Sequence, residues 1–145
     1  MKITMDLQVP ADYFFQRLVD SVLQDIKQQT GRQLAERALP GYRYHKEFGN
    51  KQTGELKVLH FLHGRRYGYS LRTGRNEYFV DYELTPQGAD SCTLTYSEQQ
   101  KGRDAKVTAN NKTASFFLGW FRKRRFKKMA AEISAAYRDQ QKEEA

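Results

Sequence analysis

One cysteine and three prolines in 145 residues leave little of what small secreted scaffolds and extended linkers are made from. A lone Cys92 forms no intramolecular disulfide and cannot build a Cys-based metal centre. Long hydrophobic runs are missing as well: no apolar stretch reaches the ~18 residues of a membrane-spanning helix. The opening MKITMDLQVP has one lysine and no long apolar core, so no secretory signal is read there, and the cytoplasm is the expected compartment. Phosphate loops of the GxxxxGKS/T type are absent, as is a GxSxG elbow. Histidine is scarce, with His45, His60 and His63 on two candidate strands, and neither an HxxxH pair nor a carboxylate–histidine cluster occurs. We therefore expect no metal and no cofactor.

What the chain does have is aromatic mass and unevenly placed charge. Nine Tyr and nine Phe, with 39% hydrophobic residues, suit a folded chain rather than a disordered one. The length suits one domain over residues 1–145, with a polar tail after about residue 138. The net charge of +8 is concentrated: residues 1–100 contribute +1, residues 101–128 contribute +9, and residues 129–145 contribute −2. A patch of that kind expects an anionic partner.

Periodicity orders the chain. Lys2–Val9 alternates, with Ile3, Met5, Leu7 and Val9 on one side, and reads as a half-buried strand. After Pro10, apolar residues recur at helical spacing from Ala11 to about Gln29, and Gly31 is a fair stop. Gln33–Ala38 adds a short helical turn at most. Five alternating runs follow: Tyr42–Phe48, Thr53–Leu62, Arg65–Thr73, Glu77–Thr85 and Ser91–Gln100. Short turns join them, so an antiparallel meander is expected. Lys101–Lys112 reads as a polar loop. Thr113–Tyr137 is a long helix on which Leu118, Phe126, Met129, Ala130, Ile133, Ala136 and Tyr137 share a stripe about 120° wide. The expected fold is α+β: a strongly bent antiparallel sheet of about six strands gripping that last helix.

Three stretches carry a family resemblance: VPADYFF (Val9–Phe15), DSVLQDIKQQTG (Asp20–Gly31) and above all FFLGWFRKRRFKKM (Phe116–Met129). With them the whole chain resembles a small bacterial family of START-like proteins within the polyketide-cyclase and lipid-transfer superfamily. The resemblance implies a helix-grip fold and an internal cavity between sheet and helix. That family has no assigned activity, so no catalytic residue carries over, and the superfamily spans carriers, cyclases and chaperone activators.

Two constellations stand out. Tyr67, Tyr69, Tyr78, Tyr82 and Tyr96 are inward candidates on adjacent strands, with Tyr44 on the first meander strand. They either line a pocket for a hydrophobic or amphipathic small molecule, such as a lipid, or simply fill the core. A one-residue slip would exchange the faces. His60 shares a strand face with Val58 and Leu62 and is a further cavity candidate, although a structural or surface histidine is the plainer reading. Arg122 falls on the apolar stripe and would either snorkel past the rim or offer a cation to the cavity mouth.

The second constellation is aromatic and basic: Phe116, Phe117, Trp120 and Phe121 interleaved with Lys123, Arg124, Lys127 and Lys128. Such a surface suits peripheral contact with an anionic membrane, at about 1 kcal/mol for each basic residue. A protein partner, including a second copy in a homodimer, or a merely solvated face are the alternatives. Nucleic acid is the weaker choice, because no RNP-like or helix-turn-helix signature accompanies the cations. Asp81 and Glu83 alternate with the inward set and should face solvent. The best-supported function is ligand binding. A non-catalytic interaction module with a filled core comes next, and a cyclase-type enzyme third.

Overall fold

Alternation in the sequence becomes a single antiparallel sheet. A computed structural model describes residues 2–48, 52–102 and 127–143 of the chain. Strand β1 (Lys2–Leu7) leads into helix α1 (Ala11–Thr30) and a short 3-10 turn (Glu36–Ala38). The meander follows as β2 (Arg43–Phe48), β3 (Gln52–Leu62), β4 (Arg66–Arg72), β5 (Asn76–Pro86) and β6 (Cys92–Gly102). A helix, α2, covers residues 127–143. The strands lie in the order β1-β6-β5-β4-β3-β2, so the meander keeps sequence order and β1 adds to its far edge beside β6. The sheet is curved around the interior.

Local chemistry sets the ends of α1. Pro10, with φ −59°, precedes the first turn, where its missing N–H costs nothing. Asp12 lies in that turn, on the side the helix dipole favours. Gly31 adopts the left-handed conformation at φ 76° and donates its N–H to the Lys27 carbonyl, so the helix stops where a Cβ would be strained. Between these ends Phe14, Phe15, Leu18, Val19 and Ile26 are buried. Each fully buried side chain of this size contributes roughly 1.5–3 kcal/mol.

The same core takes Ile3 and Leu7 from β1, Leu56 and Val58 from β3, Val80 and Leu84 from β5, and Cys92 and Leu94 from β6. Helix α2 meets it with Ala130, which is 1% exposed, and with half-buried Met129, Ile133 and Tyr137. Those residues belong to the stripe read from the sequence; Leu118 and Phe126, its other bulky members, lie outside the described residues. Tyr137 ties α2 to two neighbours: its ring meets Tyr13 of α1 edge-on at 4.9 Å, and its hydroxyl donates to Asp90 at 3.1 Å.

Two expectations need correction. The helix does not end at Tyr137 but continues to residue 143, because Gln, Lys and Glu are good helix formers even without an apolar stripe. The face of β3 also changes partway along. The register pairs Val58 with Tyr69 and then His60 with Gly68, leaving Leu59 as the extra residue of a bulge. Beyond it Phe61 packs on the core and Leu62 is 62% exposed, the reverse of simple alternation from Val58.

Candidate functional site

The inner face of the sheet is organised in register rows. One row runs Phe61, Tyr67, Tyr82, Tyr96 and Ile3 across β3, β4, β5, β6 and β1. The rings in it touch in sequence, with centroids 6.5 Å apart for Phe61–Tyr67, 6.1 Å for Tyr67–Tyr82 and 5.1 Å for Tyr82–Tyr96. Phe15 of α1 extends the chain of rings through Phe61 at 5.6 Å. The next row is Val58, Tyr69, Val80 and Glu98, and the one beyond it is Tyr44, Leu56, Leu71, Tyr78 and Gln100. The structure thus brings Tyr44, Tyr67, Tyr69, Tyr78, Tyr82 and Tyr96 onto one face, in the phase that the alternation suggested.

Burial makes these phenols poor acids. Tyr67, 3% exposed, is held well above the ordinary phenol range first by burial and then by neighbouring Tyr69, Tyr44 and Tyr82. Burial raises Tyr82 in the same way, with Tyr69 adding to it. Tyr44 is raised by burial and by the Asp25 carboxylate to which its hydroxyl donates a hydrogen bond. All three stay neutral hydrogen-bonding groups in any physiological solution.

Two carboxylates on this side were not singled out from the sequence. Glu98 is 8% exposed, and its Oε2 accepts a hydrogen bond from the Tyr96 hydroxyl at 2.8 Å. Asp25 of α1 accepts from the Tyr44 hydroxyl at 2.5 Å and from the Lys46 ammonium at 2.9 Å, both on Oδ2. The signal for Glu98 was available, since it continues the parity of Leu94 and Tyr96. Asp25 sits one position before Ile26 at the margin of the apolar stripe, where periodicity alone does not mark it.

His60 does not join this site: its cavity candidacy is corrected, and the plainer reading, a surface histidine, is the one the structure shows. The bulge turns it to the outer face, where it is exposed. A Cβ added to Gly68 would lie 2.8 Å from Asp81 Oδ1 and 3.1 Å from His60 Cδ2, so all three share that face. A shallow groove of about 220 Å³ there borders Leu59, His60, Phe79 and Asp81. His63 is paired with Glu36 at 2.8 Å instead. Asp81 and Glu83 also face outward, opposite Arg66, whose Nη2 lies 2.8 Å from Asp81 and whose Nε lies 3.5 Å from Glu83. A second surface groove, about 770 Å³, runs beside Leu23, Lys27 and Leu34. Its border lacks the rows of rings.

Of the basic aromatic stretch, Lys127 and Lys128 are exposed at the near end of α2. Phe116, Phe117, Trp120, Phe121, Arg122, Lys123 and Arg124 lie outside the described residues. Among the described residues no group of three or more His, Cys, Asp or Glu is placed to hold a metal, and no helix is long and apolar enough to cross a membrane.

A family model described as "Domain of unknown function (DUF3284)" matches residues 1–119. No curated protein matches the chain. Among solved structures, norcoclaurine synthase from Thalictrum flavum in complex with dopamine and hydroxybenzaldehyde is similar at TM-score 0.61 and 11% identity, over 96% of this chain and 86% of that one. A START superfamily protein from Mycobacterium smegmatis is similar at TM-score 0.52 and 13% identity, over 89% and 97%. The Mll3558 protein from Rhizobium loti gives 0.53 and 20%, over 94% of each chain. At such identities the likeness shows the fold alone, and that fold is the START-like helix grip implied by the sequence resemblance.

Proposed function

The chain belongs to the DUF3284 family, and we propose that it is a small-molecule-binding protein whose ligand lies between the inner face of the sheet and the C-terminal helix. The observation that carries this is the in-register row Tyr67–Tyr82–Tyr96 ending beside the buried Glu98 carboxylate. A core that needs only filling is built best from Leu, Ile, Val and Phe, because each buried hydroxyl must find a partner or destabilise the fold. Phenols and a carboxylate are what an amphipathic ligand needs instead: flat apolar bodies to lie against and a few polar tips to fix its orientation. A ligand with an aromatic or otherwise planar apolar body and one polar end fits that chemistry.

The cations of residues 101–128 support a second element of the proposal, in which the protein meets its ligand at an anionic membrane surface. Lys127 and Lys128 are exposed, as such a contact requires. A cyclase-type enzyme is the second reading, favoured by one observation: Tyr96 and Glu98 place a hydroxyl and a carboxylate within proton-transfer distance.

Native mass spectrometry of freshly purified protein tests the binding role. The expected spectrum shows a co-purified small molecule, or saturable 1:1 uptake of an added naphthyl amphiphile, lost on denaturation. A bare protein that takes up no amphiphile would leave only a filled interior, and with it the interaction module.

A further inference from the structure

We infer that two copies of this chain pair through the outer face of the sheet, about a two-fold axis running along the strands between β4 and β5. Those strands are the middle pair of the six. The sheet curves around the interior on its other side, so they form the crest that a partner meets first.

The register shows why a second copy fits. Such an axis lays β4 over the partner's β5 and β3 over its β6, so each cross-strand row meets itself reversed. One outer row reads Glu55, Arg72, Glu77 and Lys101 across β3, β4, β5 and β6. Reversal sets every carboxylate in it against a cation: Glu55 against Lys101 and Arg72 against Glu77, each twice. At the other end of the strands Arg66 meets Glu83 in the same way. Between these rows the match is one of size. Phe79 of β5 stands beside Ser70 of β4, and Asp81 beside Gly68, so the bulky strand of each copy lies over the small one. A groove of about 240 Å³ bordered by Ser70, Leu59 and Arg72 can receive the partner's Phe79. An axis turned across the strands would instead lay Arg66 on Arg72 and Glu77 on Glu83, which like charges oppose.

Two further observations favour a covered face. Leu59 and Leu62 are the large apolar side chains left exposed among the described residues, and β3 carries both on this side. Arg66 is already paired within the chain to Asp81 and Glu83, whereas Arg72 and Glu77 form no ion pair among the described residues.

Sedimentation velocity of the full chain at low salt tests the pairing. The unaltered protein is expected to reach twice the chain mass as its concentration rises. Arg72→Glu and Glu77→Arg each create two like-charge contacts across the axis, and each should weaken association by roughly a hundredfold. Mixed in equal amounts, the two variants should form a heterodimer, because every contact between them again joins opposite charges. The variant carrying both changes should pair with itself and not with the unaltered chain, which keeps the test decisive if a single variant does not fold. A protein that stays monomeric at every concentration overturns the inference and leaves the face to an unlike partner. A dimer that either single change leaves intact, a mixture that does not associate, or free exchange of the double variant with the unaltered chain overturns it as well.

Discussion

Tyr44 donates to Asp25 across 2.5 Å and so fastens edge strand β2 to helix α1. The same carboxylate oxygen takes the Lys46 ammonium at 2.9 Å, which leaves Asp25 partnered if the phenol is removed. Tyr44→Phe should therefore destabilise the fold by about 1–2 kcal/mol, the range of a half-buried hydrogen bond to a charged group. Urea unfolding of Tyr44→Phe, Asp25→Asn and the double variant checks it. A coupling energy near 1 kcal/mol is expected, and strictly additive losses would show that the two groups do not interact.

Three phenols whose acidity is suppressed by folding make an alkaline prediction. Tyr44, Tyr67 and Tyr82 are all raised above the ordinary value near 10. In the unfolded chain they lose protons around that pH while the folded protein still holds them, so the unfolded state binds fewer protons. Their contribution to stability is complete below pH 10 and is lost as pH rises from there toward the folded values, by up to about 1.4 kcal/mol per pH unit for each phenol. Tyrosinate absorbance followed with circular dichroism should show these three titrating only as the fold is lost. Smooth titration of all nine tyrosines near pH 10 in a folded protein would contradict the burial.

The bulge in β3 sets up a pair of substitutions. Phe61 packs against Phe15 and Tyr67, whereas Leu62 faces out. Phe61→Ala should cost about 2–4 kcal/mol, and Leu62→Ser should stay within about 0.5 kcal/mol. Thermal unfolding of the two variants decides, and the opposite order would restore the unbroken alternation.

Contact with an anionic surface is tested by vesicle sedimentation. The protein should pellet with vesicles containing phosphatidylserine but not with neutral ones, and less so as salt rises. Replacing Lys123, Arg124, Lys127 and Lys128 by Gln should abolish the pelleting. A native protein that ignores anionic vesicles at low salt removes the membrane from the account.

Most of the architecture could be read from residue periodicity, because β1, α1 and the five meander strands each bury one face and repeat at two or near three and a half. The phase of Tyr67, Tyr82 and Tyr96 followed from the same rule. The inward alternative for His60 fails for a definite reason, while its plainer reading as a surface histidine stands: a bulge adds one residue without any compositional mark, and every side chain beyond it changes face. Glu98 was missed although its parity announced it, since a buried carboxylate runs against the expectation that charges stay in water. The end of α2 was set too early because its last turns rest on helix propensity rather than on an apolar stripe. Asp25 could not have been read at all, since only the packing of α1 against β2 brings it to Tyr44.

The claim that the row of phenols holds a ligand is met most directly by intermolecular nuclear Overhauser effects between bound naphthylethanol and the protein. The account predicts contacts from the naphthalene protons to the ring protons of Tyr82 and Tyr96 and to the methyl groups of Val80. Contacts confined to Leu59 and Phe79 on the outer face, with none to those tyrosines, would contradict it.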